Sequence, residues 1–573
     1  MSGENRTPLA PPWRRAVVML ALLALPVALL ARAVSLQVLE GDFLQGQGDQ
    51  RHLRVEQLSA HRGGIYDRHG RPLAISAPVE SIWVDPGMLL NAPGEGAIDR
   101  IAEVLGRDPA ALTQEIEART AREFHYLRRH VDPTVAERVA ALDLPGVYLQ
   151  REYRRFYPAG EVTGHVLGFT NIDDRGQEGL ELAYDDWLAG QPGAKRVLRD
   201  RLGRNIEDVE RLREPQPGRD LTLTLDKRLQ YIAYRELKAA VERFDAAGGS
   251  VVLLDPDSGE ILAMVNQPAF NPNRRSDITG GRYRNRAVTD VYEPGSVIKP
   301  FTIAAALAAG AVTPETKIQT SPGVTRVAGE QVEDIRDFGE LTVTGVLKKS
   351  SNVGAVDIAM GLEPGTLWRQ LNELAFGRPT GVAFPGEAAG HLSAMPSRRP
   401  FERATLAFGY GLSATTLQLA RGYAAIAADG RLPMPRLIKD QPAEPPQQAM
   451  SAEVAATVRE MLVSVTRPGG TATSAAIPGY AVAGKTGTSR KAVAGGYAAG
   501  RYVSTFAGMA PADDPRFVAV VTIDEPGGED YYAGIVAAPV FQSLVSSALR
   551  LHNIPPDAAP DDQALTIARG GER

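Results

Sequence analysis

Residues 293–300 (Glu-Pro-Gly-Ser-Val-Ile-Lys-Pro) contain the start of a predicted helix and place a lysine three positions after a serine. Gly295 lets the chain turn, and the spacing brings Ser296 and Lys299 onto one helix face. A serine hydroxyl needs a base to act as a nucleophile, and a desolvated lysine can serve where arginine cannot. Alone the pair is weak evidence, because a surface lysine after a helix start gives the same pattern.

A second polar stretch, Lys349-Ser-Ser-Asn-Val-Gly354, lies between two helical stretches. The hydroxyl of Ser350 and the amide of Asn352 are two positions apart, so in a loop both can point into one cleft. Taken by itself, the stretch is more typical of an ordinary helix cap.

A third stretch, Gly484-Lys-Thr-Gly-Thr488, follows a strand-like segment. On a strand, the hydroxyls of Thr486 and Thr488 stand at alternate positions, and with Lys485 beside them they can present a cationic, donor-rich surface that suits a carboxylate-bearing substrate. The glycines, Gly487 among them, let a substrate lie against the backbone.

The same region imitates a phosphate-binding loop. Residues 479–486 match G-x-x-x-x-G-K-[ST] letter for letter. A phosphate-binding loop must open a helix, yet residues 488–500 contain glycines and show no apolar periodicity. The membrane orientation derived below also places the motif away from ATP, so we expect no phosphate site here.

Composition excludes several other classes of protein. A chain of 573 residues has room for two to four domains, and 44% hydrophobic with 23% charged residues is ordinary globular usage. The net charge of −5 does not require a nucleic-acid partner. The absence of cysteine excludes thiolate metal sites and cysteine nucleophiles. We expect no metal ion and no cofactor.

No G-x-S-x-G elbow occurs, and neither His391 nor His552 lies in a triad motif, which leaves a lysine as the better candidate for the base.

The N-terminus predicts a membrane anchor over residues 16–39. Residues 16–31 carry no charge, and the whole stretch is long enough to cross a bilayer if Arg32 snorkels to the interface. Arginines in the preceding tail, residues 1–15, place the N-terminus in the cytoplasm. A cleaved signal peptide is the alternative, because residues 31–33 (Ala-Arg-Ala) resemble a cleavage site.

The rest of the chain predicts an α+β, multidomain protein. Residues 40–218 are polar and arginine-rich, and we expect an elongated α+β pedestal there, ending at a Pro/Gly-containing linker. In residues 219–555, helices fall between two groups of strands, which predicts one antiparallel sheet with a helical insertion. Residues 556–573 are predicted to be disordered. We predict helices over 97–118, 133–142, 227–243, 297–310, 343–361, 413–428 and 537–551, and strands over 221–225, 249–255, 259–266, 501–509 and 516–524.

Together and in this order, S-x-x-K, S-x-N and K-T-G resemble the motifs of class B penicillin-binding proteins, most closely the division-specific peptidoglycan transpeptidases. The Ser350-Ser351-Asn352 motif favours that type, because elongation-specific relatives usually differ there. The absence of appended modules after residue 552 is similar to Gram-negative members. The resemblance covers nearly the whole chain, including residues 62–74 (RGGIYDRHGRPLA), 176–181 (GQEGLE) and 409–420 (GYGLSATTLQLA).

The resemblance implies a serine acyl-enzyme mechanism. Ser296 would attack the penultimate D-Ala carbonyl of a stem peptide ending in D-Ala-D-Ala, and Lys299 would be its base. Ser350 and Lys485 would relay a proton to the leaving amine, while Asn352 would orient the peptide. The acyl group would then pass to an amine of a neighbouring stem and form a cross-link, and β-lactams would acylate the same serine.

For substrate binding, the resemblance implies that Thr486 and Thr488 hold the terminal carboxylate, with Gly487 between them. The backbone N–H groups of Ser296 and Thr488 would form the oxyanion hole.

The resemblance also implies a setting for the enzyme. We expect a single-pass protein of the inner membrane with a periplasmic catalytic domain and a pedestal of the dimerisation type. Its expected partners are a polytopic septal glycosyltransferase and other division proteins, with no nucleic acid. A β-lactam sensor or scaffold is one alternative, although residues 1–15 cannot supply an output module. A β-lactamase is the other, although class A enzymes carry S-D-N where this chain has S-S-N.

Overall fold

A computed structural model describes residues 12–39, 53–91, 96–199, 205–394, 399–442, 444–493 and 495–557. Most of the predicted cytoplasmic tail (1–15) and nearly all of the predicted disordered tail (556–573) lie outside these ranges. The chain forms two compact units, and both are discontinuous. The first comprises Met1–His61, Pro78–Tyr153 and Gln191–Pro217, and the second comprises Arg62–Ala77, Arg154–Gly190 and Gly218–Arg573.

The N-terminal helix, Pro12–Val34, continues into a short π-helical segment, Ser35–Leu39. Residues Pro12–Val38 are apolar, exposed and long enough to cross a membrane. A second apolar stretch, Ala533–Leu551, passes the same length test, but half of it is buried in the second unit, as in a core helix.

The first unit has a small core of its own, in which helices pack beside the strand His125–Val131. The predicted helix over 97–118 is two helices, Ala97–Leu105 and Pro109–Glu117, because Gly106 adopts a left-handed conformation and Asp108 caps a new helix that begins at a proline. The helix predicted over 133–142 is found at Pro133–Ala140. A three-stranded antiparallel sheet completes the unit, with strands in the order Leu53–Leu58, Gly193–Arg199 and Asn205–Arg213.

Parts of the predicted pedestal, residues 62–77 and 154–190, pack within the second unit. A buried ion cluster joins them. Arg62 Nε donates to Glu181 Oε2 at 2.8 Å and Arg155 Nε to Glu181 Oε1 at 2.7 Å, with all three side chains almost completely buried. Two segments that are distant in sequence are therefore held in one unit by paired charges that would be costly to bury alone.

The second unit is built on a five-stranded antiparallel sheet, as predicted for this region. Its strands lie in the order β2-β1-β5-β4-β3, which leaves β2 and β3 at the edges. They span β1 Gly248–Leu254, β2 Ile261–Gln267, β3 Ala483–Val493, β4 Gly496–Ala510 and β5 Phe517–Asp524. Strands β1 and β2 are buried along their whole length.

Seven helices of the second unit position the site. They are α1 Lys227–Arg243, α2 Lys299–Ala308, α3 Val343–Lys349, α4 Asn352–Met360, α5 Thr416–Ala427, α6 Ala452–Thr466 and α7 Ala538–Leu551. Helices α1 and α7 pack against each other and the sheet, and α5 packs on β1, β5 and α6. Asp226 caps α1 as predicted, its side chain accepting from the Arg228 N–H at 2.9 Å. The helix predicted over 343–361 is broken into α3 and α4 at Ser350.

Most of the remaining elements are short, and the longest are two strands of 13 and 10 residues, Pro72–Val84 and Val147–Phe156. The helices are Pro86–Leu90, Gly164–Leu167, Gly179–Ala183, Asp185–Leu188, Arg286–Thr289, Thr366–Glu373, Pro400–Leu406 and Ala533–Val536. The strands are Ile65–Tyr66, Pro72–Val84, Val147–Phe156, Phe169–Thr170, Gly176–Glu178, Leu221–Thr222, Lys317–Gln319, Val324–Val327, Glu330–Glu333, Glu340–Thr342, His391–Leu392, Leu412–Ser413, Arg431–Leu432 and Gln447–Gln448.

Candidate active site

Ser296 lies in a short 3-10 turn, Gly295–Ile298, directly before α2. Gly295 has a φ of +60° and donates its N–H to Gly409 O at 3.0 Å, a conformation that favours glycine. The buried Tyr423 hydroxyl donates to Val297 O at 2.8 Å. The backbone on both sides of the serine is thus fixed by hydrogen bonds to other segments, while Ser296 itself keeps partial exposure.

Lys299 is the first residue of α2 and is completely buried. Its Nζ donates to Asn352 Oδ1 at 2.8 Å and to Ser350 O at 2.6 Å, and the Ser350 hydroxyl lies 3.4 Å away. Burial lowers the pKa of Lys299 from 10.5 to about 7, against a smaller opposing effect of the Asp334 carboxylate. A large share of Lys299 is therefore neutral near pH 7, as a base requires.

Ser350 lies between α3 and α4 with a φ of +60°, which turns the chain sharply. Its hydroxyl accepts from Lys485 Nζ at 2.8 Å, and the same lysine donates to Thr486 O at 2.9 Å. Burial, and then the nearby Lys299, lower the pKa of Lys485 well below its usual value. Ser350 therefore stands between two buried lysines and can pass a proton from one to the other.

Asp334 was not predicted from the sequence, yet it holds the second motif in place. Its Oδ1 accepts from the backbone N–H groups of Asn352, at 2.5 Å, and Val353, at 3.2 Å, while Oδ2 accepts from the Ser351 hydroxyl at 2.5 Å. An acidic side chain at the start of α4 suits the positive end of the helix dipole. Asp334 comes 18 residues before Asn352, and no local pattern links the two positions.

The third motif lies on the edge strand β3, beside the nucleophile turn. A Cβ atom added to Gly487 would lie 2.7 Å from Pro294 O and 3.2 Å from Val297 N, so only glycine allows this approach. Thr486 Oγ1 lies 2.8 Å from the hydroxyl of Thr471, and Thr488 Oγ1 accepts from the Ala533 N–H at 3.2 Å.

The structure brings the predicted residues into one site. Lys299, Ser350, Asn352 and Lys485 form one hydrogen-bonded cluster, and Ser296 shares the turn that packs against Gly487. The phosphate-loop alternative is inconsistent with the fold, because the lysine of that pattern lies within β3 and not at the start of a helix. Among the described residues, no group of acidic or histidine side chains forms a candidate metal site.

Comparison with known proteins gives two family matches that together cover most of the chain. Residues 249–546 match the penicillin binding protein transpeptidase domain, and residues 57–223 match the penicillin-binding protein dimerisation domain. The chain is 42% identical over 549 residues to peptidoglycan D,D-transpeptidase FtsI of Escherichia coli K12, covering 95% of this chain and 93% of that one. It is 41% identical over 565 residues to the probable peptidoglycan D,D-transpeptidase PbpC of Pseudomonas aeruginosa, covering 99% of both.

Solved structures show the same similarity. Penicillin-binding protein 3 from Mycobacterium tuberculosis, complexed with aztreonam, superposes with a TM-score of 0.69 at 29% identity, over 88% of this chain and 99% of that one. The apo transpeptidase domain of penicillin-binding protein 3 from Burkholderia pseudomallei is 43% identical, with a TM-score of 0.54 over 59% of this chain and 98% of that one.

Proposed function

The chain belongs to the class B penicillin-binding proteins and is a serine-type peptidoglycan D,D-transpeptidase, and from this premise we propose the role of each residue in its site. Ser296 is the nucleophile and Lys299 is the base that activates it. The observation that carries the proposal is the hydrogen-bonded cluster of Lys299, Ser350, Asn352 and Lys485 beside the Ser296 turn.

In the acylation step, neutral Lys299 takes the proton of the Ser296 hydroxyl as its oxygen attacks the penultimate D-Ala carbonyl. The lowered pKa of about 7 supplies the neutral amine, and Asn352 Oδ1 and Ser350 O accept hydrogen bonds from the ammonium that forms. The backbone N–H groups of Ser296 and Thr488 stabilise the negative charge on the carbonyl oxygen.

In the departure of D-alanine, the leaving amine needs a proton. Ser350 is suited to supply it, because its hydroxyl accepts from Lys485 at 2.8 Å and can pass a proton onward. The acyl-enzyme on Ser296 is then attacked by an amine of a neighbouring stem, which restores the serine and forms the cross-link.

Substrate recognition uses the edge strand β3. The hydroxyls of Thr486 and Thr488 donate to the terminal carboxylate of the stem peptide, and Gly487 keeps the strand against the nucleophile turn. In support, an acceptor position on Thr488 is already used by the Ala533 N–H, which leaves the Thr488 hydroxyl proton for the substrate.

For the cellular setting, we propose a membrane anchor at residues 16–39 with the N-terminus in the cytoplasm and the catalytic domain in the periplasm. The apolar, exposed helix and the arginines before it support this topology. We propose that residues 40–218 form the pedestal, apart from residues 62–77 and 154–190, which pack within the second unit, and that 219–555 form the transpeptidase domain. We propose a septal glycosyltransferase and other division proteins as partners.

The proposal is tested by acyl transfer from a synthetic peptide ending in D-Ala-D-Ala to an amine acceptor, with the full chain in detergent. Wild-type protein should release D-alanine and form the amide product. Ser296→Ala should form neither while keeping its melting temperature, and Ser276→Ala, at an exposed position, serves as the matched control. Product formation by a folded Ser296→Ala variant would refute the assignment.

A further inference from the structure

Thr471 lies outside the three sequence motifs, yet its side chain contacts one of them. Its Oγ1 lies 2.8 Å from Oγ1 of Thr486, one of the two residues proposed above to hold the terminal carboxylate of the stem peptide. Among the described residues, this contact is the one side-chain hydrogen bond of Thr471 and also of Thr486. Whatever the Thr471 hydroxyl contributes to the site, it contributes through Thr486.

The backbone around Thr471 is held in place from two sides. The N–H of Ala472 donates to Val465 O in α6 at 3.1 Å, so the segment folds back on the end of that helix. On the other side, a Cβ atom added to Gly534 would lie 2.3 Å from Thr471 O, so only glycine allows this close approach. A hydroxyl on a backbone held in this way can fix the side-chain conformation of its neighbour.

The two threonines of the third motif have different partners. Thr488 Oγ1 accepts from the Ala533 N–H at 3.2 Å, so the Thr488 hydroxyl proton remains for the substrate. Thr486 Oγ1 pairs instead with the hydroxyl of Thr471, which can either donate or accept. The direction of the hydrogen bond between Thr471 and Thr486 therefore decides whether the Thr486 proton remains for the substrate.

A carboxylate that reaches Thr486 sets this direction. Thr486 has a single hydroxyl proton, and a carboxylate only accepts, so Thr486 can donate to the substrate only when the Thr471 hydroxyl donates to Thr486. Consecutive hydrogen bonds that run in one direction strengthen each other. Because Lys485 Nζ donates to Thr486 O at 2.9 Å, the backbone of Thr486 is already held, and its side chain is the part that Thr471 fixes.

We infer that Thr471 is a positioning residue for substrate recognition, whose hydroxyl donates to Thr486 and directs the Thr486 proton toward the terminal carboxylate of the stem peptide. The inference rests on the proposed function, since it assumes that Thr486 binds this carboxylate. Thr471 acts through Thr486 and not on the reacting carbonyl. Removal of its hydroxyl should therefore weaken recognition of the carboxylate and leave the acyl-transfer chemistry intact.

The test uses two thioester substrates with the same acyl-D-alanine group. The thiol that leaves carries a carboxylate in one substrate, as in thioglycolate, and the corresponding carboxamide in the other. Release of the thiol is followed with a thiol reagent, and the protein adds no signal of its own because the chain contains no cysteine. The full chain in detergent is used, and kcat, KM and the melting temperature are measured for wild type and each variant.

The variants separate the hydroxyl from the shape of the side chain. Thr471→Val keeps the shape and removes the hydroxyl, Thr471→Ala removes the hydroxyl if the valine variant does not fold, and Thr471→Ser keeps the hydroxyl. The matched control is Thr313→Val, which also removes one hydroxyl from a pair of threonines. Thr313 Oγ1 lies 3.1 Å from Thr316 Oγ1, in an exposed pair.

We expect Thr471→Val and Thr471→Ala to lower kcat/KM for the carboxylate substrate by roughly threefold to tenfold, mainly through KM, as fits the loss of one hydrogen bond. The value for the carboxamide substrate should change far less, because a neutral amide forms weaker hydrogen bonds with a hydroxyl donor than a carboxylate does. Thr471→Ser should keep the wild-type preference for the carboxylate, and Thr313→Val should change neither substrate.

An equal loss with both substrates would overturn the inference, since Thr471 would then have only a structural role. Wild-type values in a folded Thr471→Val variant, or a Thr471→Ser variant that loses the preference as Thr471→Val does, would also overturn it. If wild-type protein does not prefer the carboxylate substrate, the proposed recognition by Thr486 and Thr488 has failed and the inference fails with it. A wild-type preference that survives the loss of the Thr471 hydroxyl refutes the inference alone.

Discussion

Replacing Asn352 with aspartate should raise the pH at which the enzyme becomes active. Asn352 Oδ1 accepts a hydrogen bond from Lys299 Nζ at 2.8 Å, so Asn352→Asp places a negative charge at that distance from the proposed base. A negative charge favours the protonated form of lysine and therefore raises its pKa from the wild-type value of about 7.

The size of the shift follows from the distance. At 2.8 Å, two unit charges attract by about 1.5 kcal/mol even with the dielectric constant of water, which is about one pKa unit, and the effect is larger in a buried site. The midpoint of the acid limb should thus move from about 7 to about 8 or above. At pH 7 the neutral fraction of Lys299 falls from about one half to about one tenth or less, and acylation slows roughly fivefold or more.

The assay is the rate of acylation by benzylpenicillin from pH 5.5 to 9.5, followed by intact mass. The slow reaction of Asn352→Asp should recover at high pH. Asn352→Ala is the control, because it removes the same hydrogen bond without adding a charge and should not move the midpoint upward. An unchanged midpoint in Asn352→Asp, or an equal slowing at every pH, would refute Lys299 as the titrating base.

Three further predictions concern neighbouring residues. Ser350→Ala removes the hydroxyl that Lys485 donates to at 2.8 Å, and acylation by benzylpenicillin should slow by roughly tenfold or more in stopped-flow measurements, whereas an unchanged rate would exclude the relay. Gly487→Ala brings a methyl group to 2.7 Å from Pro294 O, and it should lower both the melting temperature and the acylation rate; a wild-type melting temperature would contradict the close packing. Lys299→Met removes a buried amine whose pKa is about 7 in the folded chain and 10.5 when solvated. Between these two pH values the unfolded chain binds a proton that the folded chain lacks, so the free energy of unfolding of the wild type rises with pH. Lys299→Met lacks this group, so its stability advantage over wild type, measured by urea unfolding, should shrink from pH 7 to pH 10. A constant difference in the free energy of unfolding would argue against burial of the charge.

Local signals predicted several elements well. Asp226 marks the start of α1, and both bounds of that helix agree with the prediction because cap and periodicity coincide. The prediction of one continuous helix over 97–118 was wrong, because Gly106 and Pro109 divide this segment into two helices despite its apolar spacing. In the helical run predicted over 343–361, the interruption falls at the polar stretch 349–354, which the sequence analysis places between two helical stretches. There the left-handed conformation of Ser350 turns its hydroxyl toward the two lysines.

The candidate site was accessible from sequence only through its three motifs. Their residue types indicate the chemistry, and the structure adds the contacts that join them, such as the hydrogen bond between Lys485 and Ser350 across 135 positions in the chain. Asp334 could not be found this way, since its role depends on the folded start of α4. The buried pair of Arg62 and Glu181 was likewise invisible, because 119 residues separate its members.

Covalent labelling of Ser296 tests the central claim most directly. The full chain is incubated with benzylpenicillin, its intact mass is followed over time, and the labelled protein is digested and mapped. The serine–lysine mechanism predicts one long-lived adduct, located on Ser296 and lost in Ser296→Ala. An adduct on another residue would contradict the assigned nucleophile, and unmodified protein with hydrolysed penicillin in solution would indicate rapid deacylation, as in a β-lactamase.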